Sequence, residues 1–379
     1  MFDYETLRFI WWLLVGVLLI GFAVMDGHDL GVGILLPFAA RDDVERRVAI
    51  NSVGPHWDGN QVWLLTAGGA MFAAWPLVYA AAFSGFYWAM LAVLWTIFLR
   101  PVAFDFRSKI ENATWRRTWD WAIFVSAAVP TLVFGVAFGN LLQGVPFHFD
   151  ANLVPYYTGS FWQLLNPFAL LAGVVSVAMI TFHGANYLTH RTDGALQQRA
   201  RAAALVAGAV LVAAFALAGL WVAVGIDGYA VVSAIDTSAA SNPLAKSVEM
   251  VPRGLLSNYG RYPLTLLVPV AAFAGAGLGI LLMRRGHALA AFVASSVAMA
   301  GVIGTAAVSM FPFVMPSSTH PGSGLTLWDS TSSQLTLGLM LVAVAIFVPI
   351  ILAYTAWAYR VMAGKVTAAY IREHERSAY

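Results

Sequence analysis

The stretch FIWWLLVGVLLIGFAVM at residues 9–25 carries no charged side chain. Because every backbone polar group must be paired within a segment that crosses lipid, about 20 such apolar residues form a transmembrane helix. Over the whole chain of 379 residues, 60% of the residues are hydrophobic, 11% are charged and the mean hydropathy is +0.74. Ordinary globular domains carry about 25% charged residues. These values exclude a soluble enzyme and predict an all-α polytopic integral membrane protein.

Further uncharged windows predict the remaining helices. The window 59–99 is too long for one crossing, and we divide it at Trp75-Pro76 because proline disfavours a continuous helix there. The apolar part of the window 286–328 ends at Phe311, before a loop rich in proline, serine and glycine. The result is one membrane domain, residues 1–379, with nine transmembrane helices. Their approximate spans are 7–38, 59–74, 78–99, 121–144, 161–189, 202–224, 263–283, 289–311 and 335–359.

The distribution of basic residues predicts the orientation. Nine spans place the termini on opposite faces, and 17 of the 21 Lys and Arg residues fall on one of them. Lys and Arg concentrate in cytoplasmic loops. The N-terminus is therefore expected outside and the C-terminus in the cytoplasm. The basic residues expected on the outer face are Arg8, Lys246, Arg253 and Arg261.

Cysteine and histidine usage restricts the cofactors. The absence of cysteine excludes iron–sulfur clusters, thiolate zinc sites and covalently attached haem. Of the eight histidines, His28 and His183 are expected within the membrane. No two histidines recur on one face of a span, so a haem held by two histidines is disfavoured. No metal site and no catalytic residue are predicted in this chain.

Two carboxylates lie near the end of the first apolar run. Asp26 and Asp29 are three positions apart and share a helical face, with His28 between them and glycines that allow close approach of another helix. A charge within a span costs about 2.5–3.5 kcal/mol on insertion scales, so it needs a partner or a wet cavity. The alternative is that Asp29 caps a helix end.

Further polar residues lie at the same predicted face. Asp58 and Asn60 open the second span, where Asp58 alone would serve as an N-cap. Arg100 and Asp105 follow the third span, where Arg100 alone would be a lipid-interface anchor. Because topology brings Asp29, Asp58, Arg100 and Asp105 to one side of the membrane, we hypothesise a proton intake from the cytoplasm.

Six sequence blocks carry a family resemblance. Together they resemble subunit II of cytochrome bd-type quinol oxidases over nearly the whole chain. The blocks are LRFIWWLL (7–14), DGHDLGVG (26–33), NSVGPHWDGNQVW (51–63), RPVAFDFR (100–107), FGNLLQGVPF (138–147) and MFPFVMPSS (310–318).

The resemblance implies a haem-free, nine-helix subunit of the bacterial inner membrane. Its expected partner is a similarly folded subunit I, which holds haem b and haem d and oxidises quinol while oxygen is reduced to water. Small single-span accessory subunits are also implied. Some members hold a structural quinone in subunit II, but no contact residues are predicted here. No nucleic acid is expected as a partner.

The resemblance also implies roles for individual residues. The positions that match the family's proton route are Asp29, Asp58, Arg100 and Asp105, and their neighbours are Asp26, His28, Trp57 and Asn60. Trp63 matches a position linked to lateral oxygen access in some members. Position 28 departs from the family, in which it is often aromatic, so His28 either joins the polar cluster or packs.

Two rival functions use the same residues differently. A proton-coupled secondary transporter would also need intramembrane carboxylates, but inverted repeats and paired broken helices are not visible in the sequence. A purely structural partner of a haem subunit would use the charges only as caps. The resemblance favours the oxidase subunit.

Overall fold

The chain folds mainly into long apolar helices, in a computed structural model that describes residues 2–374 and 378–379. The helices are α1 Tyr4–Ala39, α2 Asp43–Val53, α3 Trp57–Ala74, α4 Pro76–Gly85, α5 Tyr87–Ile97, α6 Leu99–Phe106, α7 Ala113–Gln143, α8 Pro167–Arg191, α9 Gly194–Gly225, α10 Ser257–Arg261, α11 Leu267–Arg284, α12 Ala288–Met310, α13 Gln334–Val361 and α14 Ala368–Glu373. Within these residues, eight helical segments are long and apolar enough to cross a membrane, and the bent pair α3–α4 raises the number to as many as nine. The all-α polytopic fold class is thereby confirmed.

The break expected at Trp75-Pro76 is confirmed. The axes of α3 and α4 differ by 120°, and Trp75 between them leaves the helical backbone region with φ −131° and ψ 68°. Pro76 then occupies the first position of α4, where its missing N–H would have no helical partner.

The next helix differs from the expected range 78–99. The structure divides it into α4, which ends at Gly85, and the pair α5–α6, which continues to Phe106. The chain remains helical past Arg100 because Pro101 falls in the first turn of α6, where proline is tolerated.

Several helices also extend beyond their apolar windows. The helix α7 begins at Ala113 rather than near residue 121, and the Asn112 side chain caps it by accepting a 3.0 Å bond from the Trp115 amide. The helix α9 begins at Gly194 rather than near residue 202. Charged residues end an apolar window but not a helix, so the windows locate the spans and underestimate their length.

Three short antiparallel hairpins lie among the loops that were expected on the outer face. They pair β1 Phe147–Phe149 with β2 Pro155–Tyr157, β3 Gly228–Val231 with β4 Val248–Val251, and β5 Phe313–Met315 with β6 Leu325–Thr326. A bridge between Val145 and Ser317 joins the first and third hairpins. Buried Arg8 of α1 donates to the carbonyls of Thr237 and Ala239, which holds the start of α1 against the loop before β4.

The helix α1 organises the interior. It packs against α3, α7, α8, α12 and α2, and it takes part in both apolar clusters that the described residues form. By contrast, only 11% of the most apolar window of α13 is buried within this chain. Its uncovered apolar side chains are suited to lipid or to a partner subunit.

Candidate functional site

The candidate site is built around the middle of α1, where Asp26, His28 and Asp29 are all buried. Small residues allow neighbouring helices to enclose these polar groups. A Cβ atom on Gly31 would lie 2.3 Å from the Ile180 carbonyl oxygen and 2.8 Å from the Gly184 Cα atom of α8. The glycines therefore permit the close helix approach that the sequence predicted.

Asp26 pairs with Arg100 of α6. The distances are 2.6 Å from Nη1 to Oδ1 and 3.2 Å from Nη2 to Oδ2, and both side chains are at most 3% exposed. Two parallel charge-assisted bonds fix the mutual geometry of the side chains as well as compensating their charges. Arg100 is therefore an internal partner of α1, and its alternative role as a lipid-interface anchor is excluded.

Asp29 belongs to a second set of contacts. Its Oδ2 accepts a 2.8 Å bond from Asn60 Nδ2 of α3, and its Oδ1 lies 3.2 Å from Nε2 of His28. The amide of Asn60 also contacts the hydroxyl of Tyr359 from α13, and that hydroxyl lies 3.2 Å from His28 Nε2. Asp29 lies ten residues before the end of α1, so it does not cap a helix end.

Aromatic rings enclose this polar set. His56, immediately before α3, stacks on Tyr359 with ring centroids 4.5 Å apart and planes 5° apart. Burial, with a contribution from Arg191, lowers the pKa of His56 to about 4, so its ring is neutral at physiological pH. The ring of Tyr187 lies 4.2 Å from that of His28, and its hydroxyl donates to the Ser52 carbonyl. Carboxyl, amide, phenol and imidazole groups from α1, α3, α8 and α13 thus meet in one buried cluster.

Two expected site residues lie outside the cluster. Asp58 and Asp105 are exposed on this chain, and no hydrogen bond or ion pair joins their side chains to another described residue. Asp58 lies in the first turn of α3, whose N-cap is His56, so it does not form the capping bond considered above. An acidic residue there still favours the helix dipole.

The two tryptophans have distinct surroundings. Trp57 stacks on Phe104 with ring centroids 5.2 Å apart, which packs the start of α3 against α6. Trp63 is half-buried, and its ring lies so close to Gly21 that a Cβ there would be 2.7 Å from it. Trp63 therefore fills space between α3 and α1.

His183 is buried beside the cluster. Its Nδ1 lies 2.7 Å from the Ser295 hydroxyl, its Nε2 lies 3.0 Å from the Val24 carbonyl, and its ring stacks on Phe292. Both ring nitrogens are therefore engaged by the protein. The ring centroid of His28 is only 6.0 Å away, a proximity that the sequence pattern did not indicate.

Sequence reasoning did not single out Tyr359 or Tyr187, although both line the cluster. Tyr359 directly precedes Arg360, near the end of the last predicted span, so it reaches the same face as Asp29. Comparing the polar residues that different spans bring to one face would have found it. A tyrosine near the end of a span is also expected from the general enrichment of aromatic residues at membrane interfaces, so its position alone did not indicate a functional role.

A separate ion network ties α2 to α6 and α7. Arg107 donates to both Asp120 and Asp43, while Arg46 and Arg116 bind Asp120 and Asp43 respectively. Arg107 and Asp120 are only 1–2% exposed. This network fixes the segment that leads from Arg100 into α7.

Sequence comparison identifies relatives of this chain. Residues 7–362 match the family model of cytochrome bd terminal oxidase subunit II. The chain is 59% identical over 379 residues to subunit 2 of the cytochrome bd-I ubiquinol oxidase of Escherichia coli K12, and 54% identical over 379 residues to a probable cytochrome oxidase subunit 2 of Haemophilus influenzae; both alignments cover all of each chain. A Bacillus subtilis cytochrome bd ubiquinol oxidase subunit 2 is 33% identical over 363 residues, covering 96% of this chain and 97% of the relative.

A solved structure shares the fold. A chain of the bd oxidase from Geobacillus thermodenitrificans superposes with a TM-score of 0.71 at 15% identity, covering 94% of this chain and 98% of that one. This match supports the architecture, while the sequence matches support the family. By these comparisons, the chain belongs to the cytochrome bd terminal oxidase subunit II family.

Proposed function

We propose that this chain is the haem-free subunit II of a quinol:oxygen oxidoreductase in the bacterial inner membrane. In this proposal it pairs with subunit I, which holds haem b and haem d, and the complex oxidises quinol and reduces oxygen to water. Family membership over residues 7–362 supports this assignment and does not favour the transporter alternative. Small single-span subunits and a structural quinone complete the proposed complex, and no residue of this chain is assigned to them.

The donor set of this chain supports placing the haems in the partner. A haem held by two histidines needs two available imidazole nitrogens facing each other across the ring plane. His183 has both nitrogens engaged, and aromatic rings occupy the space around His28. These residues do not fit such a haem.

We further propose that the buried cluster is part of a route for protons from the cytoplasmic face. The observation that carries this proposal is that Asp29 contacts Asn60 and His28 inside the protein, and that the Tyr359 hydroxyl contacts both of these residues. Groups within hydrogen-bond distance of one another can hold and pass a proton between defined atoms. The Asp26–Arg100 pair positions the same turn of α1.

Asp58 and Asp105 take the outer positions of the proposed route. Both are exposed on this chain. Asp58 lies in the helix that contributes Asn60 to the cluster, and Asp105 lies in the helix that contributes Arg100 to the pair with Asp26. In the proposal these carboxylates collect protons at the cytoplasmic face, and Asp29 receives them inside. Trp57 and Phe104 hold the two helices together there.

The test compares quinol-driven oxygen uptake of purified complexes that carry Asp29→Asn, Asp58→Asn or Asp193→Asn. Asp193 is an exposed carboxylate at the turn before α9, on the same predicted face, and serves as the matched control. The proposal expects slower uptake for the first two variants at normal haem content, and unchanged uptake for the control. Normal uptake by both Asp29→Asn and Asp58→Asn would support a structural role instead.

Optical spectra test the subunit assignment independently. The isolated chain is expected to be colourless and inactive, while the complex shows haem absorption and consumes oxygen. Stoichiometric haem on the isolated chain would contradict the assignment.

We also propose that oxygen passes beside Trp63. Its half-buried ring fills the space between α3 and α1, so a smaller side chain opens that space. Trp63→Leu is expected to change the KM for oxygen, whereas Trp88→Leu, at an exposed position of α5, is not. Equal KM values for both variants and the wild type would contradict this path.

A further inference from the structure

Three potential metal ligands converge at the edge of the buried cluster. One donor atom each from His28, Asp29 and His56 lies within 4.8 Å of the other two. These residues are only 1%, 5% and 9% exposed. Two imidazoles and one carboxylate are a common donor set for first-row transition metals. His28 and Asp29 come from a helix, and His56 comes from a turn at least 27 positions later in the sequence. This separation explains why no local sequence motif indicated the site.

Two lone-pair atoms in this group face each other. His28 Nδ1 lies 3.2 Å from the Val24 carbonyl oxygen, so we assign its proton to Nδ1 and a lone pair to Nε2. That Nε2 lies 3.2 Å from Asp29 Oδ1, a carboxylate oxygen. Two acceptors at this distance repel unless a proton or a cation lies between them.

Unpartnered atoms favour a cation over a shared proton. Asp29 Oδ1 and His56 Nδ1 are both buried without a hydrogen bond to any described residue. Leaving such an atom unsatisfied costs about 1–3 kcal/mol. A single proton between His28 and Asp29 would leave His56 unsatisfied, whereas a metal ion can engage all three residues.

The surrounding contacts are those of a supported metal site. Metal-binding histidines usually donate their other ring N–H to a carbonyl or carboxylate, and ligating carboxylates are themselves hydrogen-bonded. His28 makes such a bond to Val24, and Asp29 Oδ2 accepts from Asn60 Nδ2 at 2.8 Å. These partners orient His28 Nε2 and Asp29 Oδ1 towards the same space.

We propose that His28, Asp29 and His56 bind one divalent first-row transition-metal ion, with Zn²⁺ as the probe. The three donor atoms lie up to 4.8 Å from one another. Bonds of about 2.0–2.2 Å to a single zinc ion bring donor atoms closer together than this, so the site must contract on binding. His56 can supply this movement because it precedes α3 and is not held within a helix. Water or the Tyr359 hydroxyl is available for the fourth position.

The metal binding itself does not depend on the proposed proton route, but its effect on turnover does. An ion on His28 and Asp29 would occupy the atoms that the route uses. Zn²⁺ is therefore expected to slow oxygen uptake by the wild-type complex and to have less effect when His28 is replaced.

The test measures Zn²⁺ bound to the detergent-solubilised complex by equilibrium dialysis and elemental analysis. The variants are His28→Phe and His56→Gln, and the matched control is His183→Gln, a buried histidine with both nitrogens engaged. We expect each site variant to bind one Zn²⁺ fewer per complex, or to bind it at least tenfold more weakly. The control should bind as the wild type does.

Phenylalanine at position 28 preserves the ring packing against Tyr187 and Phe292, so haem content is expected to remain normal. Zinc-edge X-ray absorption should show two imidazole ligands in the wild type, and one for any Zn²⁺ that His28→Phe still binds at the site. Unchanged stoichiometry and affinity in both site variants would overturn the metal site. If zinc binds there without slowing oxygen uptake, the metal site stands and the proton route fails; the Asp29→Asn measurement tests that route separately.

Discussion

Arg100 and Asp26 form a two-point ion pair inside the protein, although 74 positions separate them in the sequence. The pair joins α6 to the middle of α1, and both side chains are at most 3% exposed. Each charge is far from water, so each depends on the other for compensation. This dependence makes the pair sensitive to the loss of one partner.

Replacing Asp26 alone should destabilise the protein. Asp26→Asn leaves the Arg100 guanidinium buried without a counter-charge, which typically costs about 3–5 kcal/mol. The effect is measured as the thermal unfolding temperature of the purified complex, with loss of haem absorption as the signal. The exposed control Asp193→Asn should unfold as the wild type does. The double variant Asp26→Leu with Arg100→Met should recover much of the lost stability, and a double variant no better than Asp26→Asn would contradict charge compensation as the cause.

The crossing of α1 and α8 should not tolerate a side chain at Gly184. A Cβ there would lie 2.5 Å from two backbone atoms of Gly31, and backbone atoms cannot rotate away. We expect Gly184→Ala to cost about 1–3 kcal/mol through overpacking and to lower the unfolding temperature. Gly16→Ala, on α1 with nothing within 4 Å of the new Cβ, is the control. Equal unfolding temperatures for Gly184→Ala and Gly16→Ala would contradict overpacking, because they would mean that α1 and α8 can move apart at little cost.

Tyr229 should make stability depend on alkaline pH. Burial, with a smaller contribution from Asp227, raises the pKa of Tyr229 to about 12, above its ordinary value of 10.0. Between these values the folded protein keeps the proton while the unfolded chain releases it, so the unfolding free energy falls as pH rises. The contribution of this group is complete below pH 10 and is lost as pH passes 12.

Comparison with Tyr229→Phe isolates this titration. The stability difference between wild type and variant should decrease by about 1–2 kcal/mol from pH 9 to pH 12, after allowance for solvent screening. The Tyr229 hydroxyl also donates to the Gln143 carbonyl at 2.9 Å, so part of the difference remains independent of pH. A difference that stays constant over this range would contradict the raised pKa.

The hydroxyl of Tyr359 should contribute to turnover if the proton route is correct. Tyr359→Phe removes the contact with Asn60 and His28 but retains a ring that can stack on His56. A neutral hydrogen bond typically contributes about 0.5–1.5 kcal/mol of free energy. If its loss raises the activation barrier of proton transfer by that amount, oxygen uptake becomes roughly two- to tenfold slower. Tyr354→Phe, at a 66% exposed position of the same helix, is the control and should leave the rate unchanged. A similar rate in both variants would remove Tyr359 from the route.

The general architecture could be predicted from sequence because lipid imposes simple rules on apolar length. The windows located the membrane helices, and Trp75-Pro76 located the bend, since each depends on a short local stretch. Helix ends were less predictable, because polar residues such as Arg116 continue a helix into water.

The candidate site was only partly predictable for a different reason. The carboxylates and Arg100 stood out because charge is rare in this chain, yet nothing local indicated that Arg100 would pair with Asp26. Tyr359 meets His28 across 331 positions, and such contacts depend on how helices pack. Composition identifies unusual residues, whereas tertiary packing selects their partners.

The long separation between Asp26 and Arg100 also affects biosynthesis. A bacterial ribosome adds about 5–20 residues per second, so α1, which ends at Ala39, is completed roughly 3–12 seconds before Arg100 is added. During that interval each carboxylate in α1 resists transfer into lipid by about 2.5–3.5 kcal/mol if it is ionised. The apolar run 9–25 must offset this cost until α6 arrives, and retention of the helix by the translocation machinery or another subunit would lower that demand.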